Sequence, residues 1–128
     1  MVMWALANAE GGEIFVPKIP SYRVTDVATA VAPSAQQEVV GIRPGEKIHE
    51  EMITSSDSQN TVDLGDYYAI LPPGDSEAVD RYCSQNGASR VVDGFCYDSG
   101  TNDQFLSVEQ IRGLIRDHVD PDFAVEPA

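Results

Sequence analysis

The four residues Arg43-Pro44-Gly45-Glu46 offer the clearest chemistry in the sequence. Proline presets one φ angle of a tight turn, and glycine accepts the positive φ that the next position requires. A planar guanidinium can hold a diphosphate through two parallel hydrogen bonds. A carboxylate three residues later, across the turn, can accept hydrogen bonds from a ribose diol. The sequence therefore predicts a nucleotide half-site in which Arg43 binds phosphate and Glu46 binds sugar hydroxyls.

A structural explanation of the same residues stays open. In that explanation the stretch is a surface turn, and Glu46 favours the N-terminus of the helix that follows it. Lys18 lies between Pro17 and Pro20 and also follows a predicted strand. It is expected either to supply a point charge to the same phosphate or to be a solvated loop lysine.

The elements around these residues predict an α/β fold. Apolar and β-branched runs predict strands over 13–16, 38–42 and 66–71, with β character over 89–97. Helices are predicted over 1–9, from 25 up to Pro33, over 46–52, over 75–86 and from Ser107, where Gln110 completes capping-box spacing. Alternation of helices and strands implies parallel pairing. Arg43 would then lie at the carboxyl end of a strand, where open α/β sheets bind their ligands.

The charge of the chain excludes several partners. The 128 residues include 21 acids and 8 Lys or Arg, which gives a net charge of −13. Such a surface repels phosphate backbones and anionic lipids, so neither nucleic acid nor a membrane is expected as a partner. Residues 1–51 hold seven of the acids and four of the bases, a net of −3, so this part can still meet an anionic ligand. No apolar run approaches about 18 residues, and the two cysteines lack CxxC spacing, which favours the cytoplasm.

Complete catalytic and metal-binding motifs are absent from these residues. The sequence has no GxGxxG, no GxSxG, no Walker motif and no tyrosine followed by lysine four positions later. His49-Glu50 does not begin an HExxH zinc motif, because Ile53 stands at the second histidine position. We therefore predict no catalytic residue, no metal ligand and no cofactor in this chain.

Two longer motifs resemble one enzyme family. They are Gly12-Glu-Ile-Phe-Val-Pro-Lys-Ile-Pro-Ser21, with Val24-Thr-Asp-Val27 after it, and Gly41-Ile-Arg-Pro-Gly-Glu-Lys-Ile-His-Glu50. Both resemble the bacterial UDP-N-acetylglucosamine 4,6-dehydratases that invert C5 and begin pseudaminic acid pathways. The similarity continues through 51–72 and 97–109, in the same order.

The resemblance implies an extended short-chain dehydrogenase/reductase with a Rossmann domain and bound NADP. The dinucleotide fingerprint and the Tyr-Lys catalytic pair lie in the N-terminal portion of that family, so this chain resembles the C-terminal, substrate-binding portion. By resemblance Arg43 contacts the UDP diphosphate, Glu46 contacts the ribose or its neighbour, and Lys18 lies in a segment that borders the nucleotide-sugar. The implied partners are a UDP-sugar and either a second copy of the chain or an N-terminal Rossmann portion.

The predicted division of the chain follows from this reading. Residues 1–71 would carry the half-site, 72–120 would extend the same domain, and 121–128 would be an acidic tail. Two other classes of function stay open. One is a non-catalytic module that binds a nucleotide-sugar or a protein, and the other is a structural remnant of a truncated gene.

Overall fold

The computed structural model describes residues 1–125, which form two compact units. Unit 1 comprises Met1–Ile19 and Glu50–Asp98, and unit 2 comprises Pro20–His49 and residues 99–125. Each unit therefore takes two separate stretches of chain. The linear division at residues 71 and 120 stays a prediction, and residues 126–128 of the predicted tail lie outside the described part.

The described residues contain four α-helices, one 3-10 helix and six short strands. In chain order they are α1 (Val2–Asn8), β1 (Ile14–Pro17), α2 (Val24–Val31), β2 (Glu51–Ile53), the 3-10 helix Ser55–Asn60, β3 (Thr61–Asp63), β4 (Tyr67–Ile70), α3 (Ser76–Asn86), β5 (Ser89–Arg90), β6 (Tyr97–Asp98) and α4 (Val108–His118). None of the helices within residues 1–125 combines the length and the apolar character needed to cross a bilayer.

Unit 1 contains all six strands. Four of them form a sheet in the order β1-β4-β3-β5, and β2 pairs with β6 in a separate ladder. All these ladders are antiparallel, so the expected parallel pairing of the strands is wrong, although an isolated parallel bridge joins Ser21 and Phe105. The physical reason is the short link of residues 64–66 between β3 and β4. A link of that length can join antiparallel strands, whereas parallel strands need a crossover of a dozen or more residues.

The core of unit 1 lies between this sheet and α3. Its buried members come from β3, β4 and the helix, and they are Val62, Ala69, Leu71, Val79 and Tyr82. The Asp75 carboxylate accepts the N–H of Ala78 at 2.8 Å and so caps the helix. The predicted helix over 75–86 is therefore confirmed, together with its end before Gly87.

The short helix α1 packs on the same sheet through aromatic rings. Trp4 stacks on Tyr67 with ring centroids 4.2 Å apart and meets Phe15 edge-on at 5.2 Å. The C-cap residue Ala9 has an extended backbone and not the left-handed conformation of a glycine cap. The turn after it is held by the carboxylate of Glu13 instead, which accepts two backbone N–H groups.

Unit 2 is built on the packing of α2 against α4. Ala30 and Ile111 are buried between them, and Arg112 donates from Nε to the carbonyl oxygen of Ala30 at 3.1 Å. The predicted capping box at the start of α4 is confirmed, because Ser107 and Gln110 each accept the other's backbone N–H.

The segment between α2 and β2 differs most from the prediction. Residues 36–50 contain neither helix nor strand, so the strand over 38–42 and the helix over 46–52 are wrong. Val39 and Val40 are 90% and 85% exposed. High β-propensity alone does not form a strand, because an isolated strand has no partner for its backbone hydrogen bonds. Residues 55–60, for which neither helix nor strand is predicted, form the 3-10 helix.

Candidate functional site

The turn that carries Arg43 and Glu46 is closed by its own residues. Pro44 and Gly45 form the bend, and Gly45 has φ +87°. The backbone N–H of Glu46 donates to the carbonyl oxygen of Arg43 at 3.1 Å. In return, Oε2 of Glu46 accepts the backbone N–H of Arg43 at 3.0 Å. The predicted turn is confirmed, and its two ends are joined through both backbone and side chain.

The two side chains of this turn face solvent. The side chain of Arg43 is 84% exposed and that of Glu46 is 51% exposed. Arg43 Nε lies 3.9 Å from Glu46 Oε1, which is an exposed ion pair of small energy. A phosphate can therefore approach the guanidinium without breaking a strong contact. Glu46 has fewer acceptor sites left for a ligand than predicted, because its Oε2 already accepts the backbone N–H of Arg43.

Lys18 belongs to unit 1 and lies in a different environment. Its ammonium is 2.7 Å from Oδ1 of Asp63 and 4.4 Å from the centre of the Tyr68 ring. The side chains of Lys18 and Asp63 are 29% and 33% exposed. The lysine is thus paired and partly desolvated. The structure brings Arg43 and Glu46 together, and it places Lys18 in the other unit.

Sequence reasoning missed the residues that hold Lys18. Asp63 and Tyr68 are register partners across β3 and β4. The hydroxyl of Tyr97 accepts the N–H of Ile19 and donates to its carbonyl oxygen, both at 2.8 Å. The chain just after β1 is therefore fixed from two sides. Recognising the β3–β4 hairpin from the sequence would have predicted that Asp63 lies opposite Tyr68.

His49 contacts a glycine and has a packing role. A Cβ placed on Gly100 would come within 2.8 Å of the His49 ring, so the two are in close contact. Among residues 1–125, no group of three or more His, Cys, Asp or Glu side chains could hold a metal ion. The side chains that the turn brings together are a guanidinium and a carboxylate. Such a pair can bind an anionic, hydroxyl-bearing ligand.

A comparison with protein families matches the part of the chain that holds the candidate residues. Residues 1–72 match the family model described as polysaccharide biosynthesis protein. The chain belongs to this family. Lys18, Arg43 and Glu46 all lie within the matched part, so each candidate residue belongs to the stretch that defines membership.

Two curated relatives match over most of this chain. A Campylobacter jejuni (serotype O:2) protein named UDP-N-acetylglucosamine 4,6-dehydratase (inverting) is 42% identical over 121 residues, which cover 89% of this chain and 36% of that protein. A Rickettsia canadensis protein named UDP-glucose 4-epimerase is 29% identical over 119 residues, covering 90% and 34%. The predicted resemblance is confirmed, and the chain is a portion related to sugar-nucleotide dehydratases. It spans about a third of the length of these relatives.

A solved structure has a similar fold. The X-ray structure of Pen from Bacillus thuringiensis matches with a TM-score of 0.68 and 28% identity, over 90% of this chain and 34% of that one. The predicted fold class is confirmed. The chain has the α/β fold of the C-terminal portion of an extended short-chain dehydrogenase/reductase.

Proposed function

We propose that the chain is the UDP-sugar-binding portion of a UDP-N-acetylglucosamine 4,6-dehydratase/5-epimerase in bacterial surface-glycan biosynthesis of the pseudaminic acid type. The exposed guanidinium of Arg43 on its self-closed turn carries this proposal. The 42% identity with the Campylobacter jejuni dehydratase supports the class of substrate. We expect no turnover by these residues alone, since their sequence contains neither the dinucleotide fingerprint nor the Tyr-Lys pair.

The turn prepares Arg43 to bind the diphosphate. The residue before a proline is kept out of the α region, and here the backbone of Arg43 is also bonded at both its N–H and its carbonyl oxygen. Binding therefore needs to order the side chain alone, which lowers the entropic cost of association. Charge-assisted bidentate bonds from a guanidinium to phosphate are among the stronger hydrogen bonds in proteins.

Glu46 is expected to serve the ribose with one oxygen. Its Oε2 is held by the Arg43 N–H, whereas Oε1 lies 3.9 Å from Arg43 Nε. When a phosphate binds the guanidinium, Oε1 can accept a hydrogen bond from a ribose hydroxyl while Oε2 keeps the turn closed. The same carboxylate would then both stabilise the turn and bind the sugar.

Lys18 is proposed as a weaker contributor to the phosphate. Its charge is already compensated by Asp63 at 2.7 Å, so its attraction for an anion is smaller than that of Arg43. We expect Lys18→Met to weaken UDP binding less than Arg43→Ala does.

The residues of this chain do not fit NADP. A dinucleotide fingerprint needs a glycine-rich turn between a strand and the helix after it. Gly11 and Gly12 connect α1 to β1, which is the opposite order. A Cβ on Gly12 would also lie 2.9 Å from the Pro72 ring, so this glycine is packed against protein. No step of the proposed function in this chain therefore involves NADP.

Calorimetric titration with UDP tests the proposal. The wild type should bind UDP, and Arg43→Ala should lose about 10- to 100-fold in affinity, as expected for a lost charged hydrogen-bond pair. Arg116→Ala is the matched control, because Arg116 is exposed on α4 and the substitution removes the same charge. Failure of the wild type to bind UDP would leave a protein-binding module or a structural remnant as the explanation. Equal affinities of wild type and Arg43→Ala would reject Arg43 as the phosphate ligand.

A second titration separates the ribose from the phosphate. Glu46→Gln should lower the affinity for UDP while leaving the affinity for 2′,3′-dideoxy-UDP nearly unchanged. Glutamine keeps an oxygen that can accept the Arg43 N–H, so the turn should persist. An equal loss for both ligands would indicate that Glu46 acts through the turn and not through the ribose.

We also propose that unit 1 is completed by further protein, either a second copy or a Rossmann portion. β1 lies at the edge of the sheet, and three apolar side chains near it, Met3, Leu6 and Ile14, are 78%, 73% and 61% exposed. An uncovered edge beside apolar surface favours association. Sedimentation should show oligomers, or thermal unfolding should show marginal stability. A sharp, cooperative melt of a dilute monomer would contradict this.

A further inference from the structure

Unit 1 contains a cavity that takes no part in the proposed nucleotide site. It lies where the 3-10 helix ends, α3 begins and β5 runs past them, and its volume is about 330 Å³. A cavity of this size is at the lower end of the range for small-ligand sites. None of Lys18, Arg43 and Glu46 lines it. Side chains with different hydrogen-bonding roles do so, among them Gln59, Asn60, Asp75, Val79, Arg90 and Asp93.

Arg90 is held rigidly at the edge of this cavity. Its Nε donates to Oδ1 of Asp80 at 2.7 Å, and its Nη2 donates to the carbonyl oxygen and the hydroxyl of Ser76 at 2.7 and 2.9 Å. These bonds use three of the five guanidinium N–H groups. Within residues 1–125, Nη1 makes no further hydrogen bond. The anchored group therefore keeps two donors for a ligand.

The same cavity also offers acceptors. Asp75 uses one carboxylate oxygen to cap α3, and the other oxygen is left over. The side chains of Asp93 and Asn60 make no hydrogen bond within the described part of the chain. Val79, a core residue that is 3% exposed, is the apolar member of the lining named above. Residues with donors, residues with acceptors and one apolar residue thus line a space for one small molecule.

The charges of the residues that line the cavity favour one class of ligand. Among the ionisable lining residues, the two carboxylates of Asp75 and Asp93 outweigh the one guanidinium of Arg90, which Asp80 already compensates. A free phosphate or carboxylate would be repelled. A hydroxyl group can donate to a carboxylate and accept from a guanidinium at the same time. We propose that this cavity binds a neutral polyhydroxylated ligand of monosaccharide size through Arg90, Asp75, Asp93 and Asn60.

Saturation-transfer NMR with D-glucose, D-galactose and D-mannose tests this proposal. At least one of the three should bind the wild type. Asn60→Ala with Asp93→Ala should weaken that binding about tenfold, the effect of losing one or two hydrogen bonds. Neither substitution removes a side-chain hydrogen bond within residues 1–125, so the fold should persist. Asp117→Ala, on the exposed surface of α4, is the control for the change in charge.

Three results would overturn the proposal. They are no binding of any of the three sugars, unchanged affinity in the double variant, and tighter binding of D-glucose 6-phosphate than of D-glucose. If the double variant does not fold, the isosteric Asp93→Asn takes its place, with a smaller loss expected. Arg43→Ala should keep the monosaccharide signal while losing UDP, so this site and the proposed nucleotide site can fail separately.

Discussion

The buried strands of unit 1 and the exposed segment of residues 36–50 contain similar apolar residues but bury them to very different extents. In unit 1, Ile53 and Val62 have no exposed surface. In the 36–50 segment every residue is exposed, and Ile48 and Val39 are 78% and 90% exposed. The two regions contain the same residue types, so composition does not explain the difference. Strand pairing explains it, because β2, β3 and β4 each pair with another strand, whereas residues 36–50 form no strand.

The same contrast separates the candidate cations. Lys18 is fixed by Asp63 and Tyr68 in unit 1, whereas Arg43 is ordered by a turn that closes on itself. A self-closed turn needs no surrounding core, so a ligand-binding group can be placed by four local residues. Substitutions in the two regions should therefore differ in their effect on stability.

Two isoleucines give the largest expected difference. Ile53→Ala should lower the free energy of unfolding by about 2–5 kcal/mol, because it leaves a cavity in a packed region. Ile48→Ala should change it by less than about 0.5 kcal/mol, because the side chain is already in solvent. Urea unfolding followed by circular dichroism measures both. Equal effects would show that the 36–50 segment is packed in solution.

Two glycines with similar φ angles give the next difference. Gly12 has φ +89° and Gly45 has φ +87°, but a Cβ on Gly12 would meet the Pro72 ring at 2.9 Å, while a Cβ on Gly45 would meet nothing within 4 Å. Both alanine variants should lose about 1–2 kcal/mol from left-handed strain. Gly12→Ala should lose about 1 kcal/mol more from overpacking. Thermal melts of the two variants compare them, and a more stable Gly12→Ala would be the contrary result.

The two ion pairs give a smaller difference. Asp63→Asn should destabilise the chain by about 0.5–1 kcal/mol, because a half-buried ammonium loses its partner at 2.7 Å. Glu46→Gln should stay within about 0.5 kcal/mol, because its pair with Arg43 is exposed and 3.9 Å long. Double-mutant cycles with Lys18→Met and Arg43→Met isolate the pair energies. A larger coupling energy for the exposed pair would reverse the comparison.

The smallest effect concerns acid stability in unit 1. Partial burial acts to raise the pKa of Glu13, but the backbone N–H groups of Glu13, Gly11 and Glu10 outweigh it, so this pKa lies below the ordinary value of 4.5. A lowered folded-state pKa adds stability above 4.5, and this stability is lost as the pH falls through the folded-state pKa. Glu13→Gln should therefore be slightly less stable at neutral pH and lose less stability below pH 4.5.

Melting temperatures from pH 7 to pH 3 measure this effect. Glu77→Gln, an exposed carboxylate in the first turn of α3, is the control. Parallel curves for the wild type and Glu13→Gln would show that these backbone hydrogen bonds do not contribute.

Local signals predicted the elements whose ends are fixed by nearby residues. The capping box of Ser107 and Gln110, the helix before Gly87 and the turn at Pro44-Gly45 all depend on neighbours within a few positions. The strand over 38–42 failed because its formation depends on a partner distant in sequence. The same limit hid Asp63, which meets Lys18 across 45 residues of chain.

The sequence by itself determined the family, the mixed helix and strand content, and the turn that presents Arg43 and Glu46. These depend on residue order and on contacts over three or four positions. The tertiary structure alone decided the antiparallel sheet, the pairing of Lys18 with Asp63 and the exposure of the 36–50 segment. Each of these features depends on burial and backbone hydrogen bonding between residues that are distant in sequence, so no local sequence pattern predicts it.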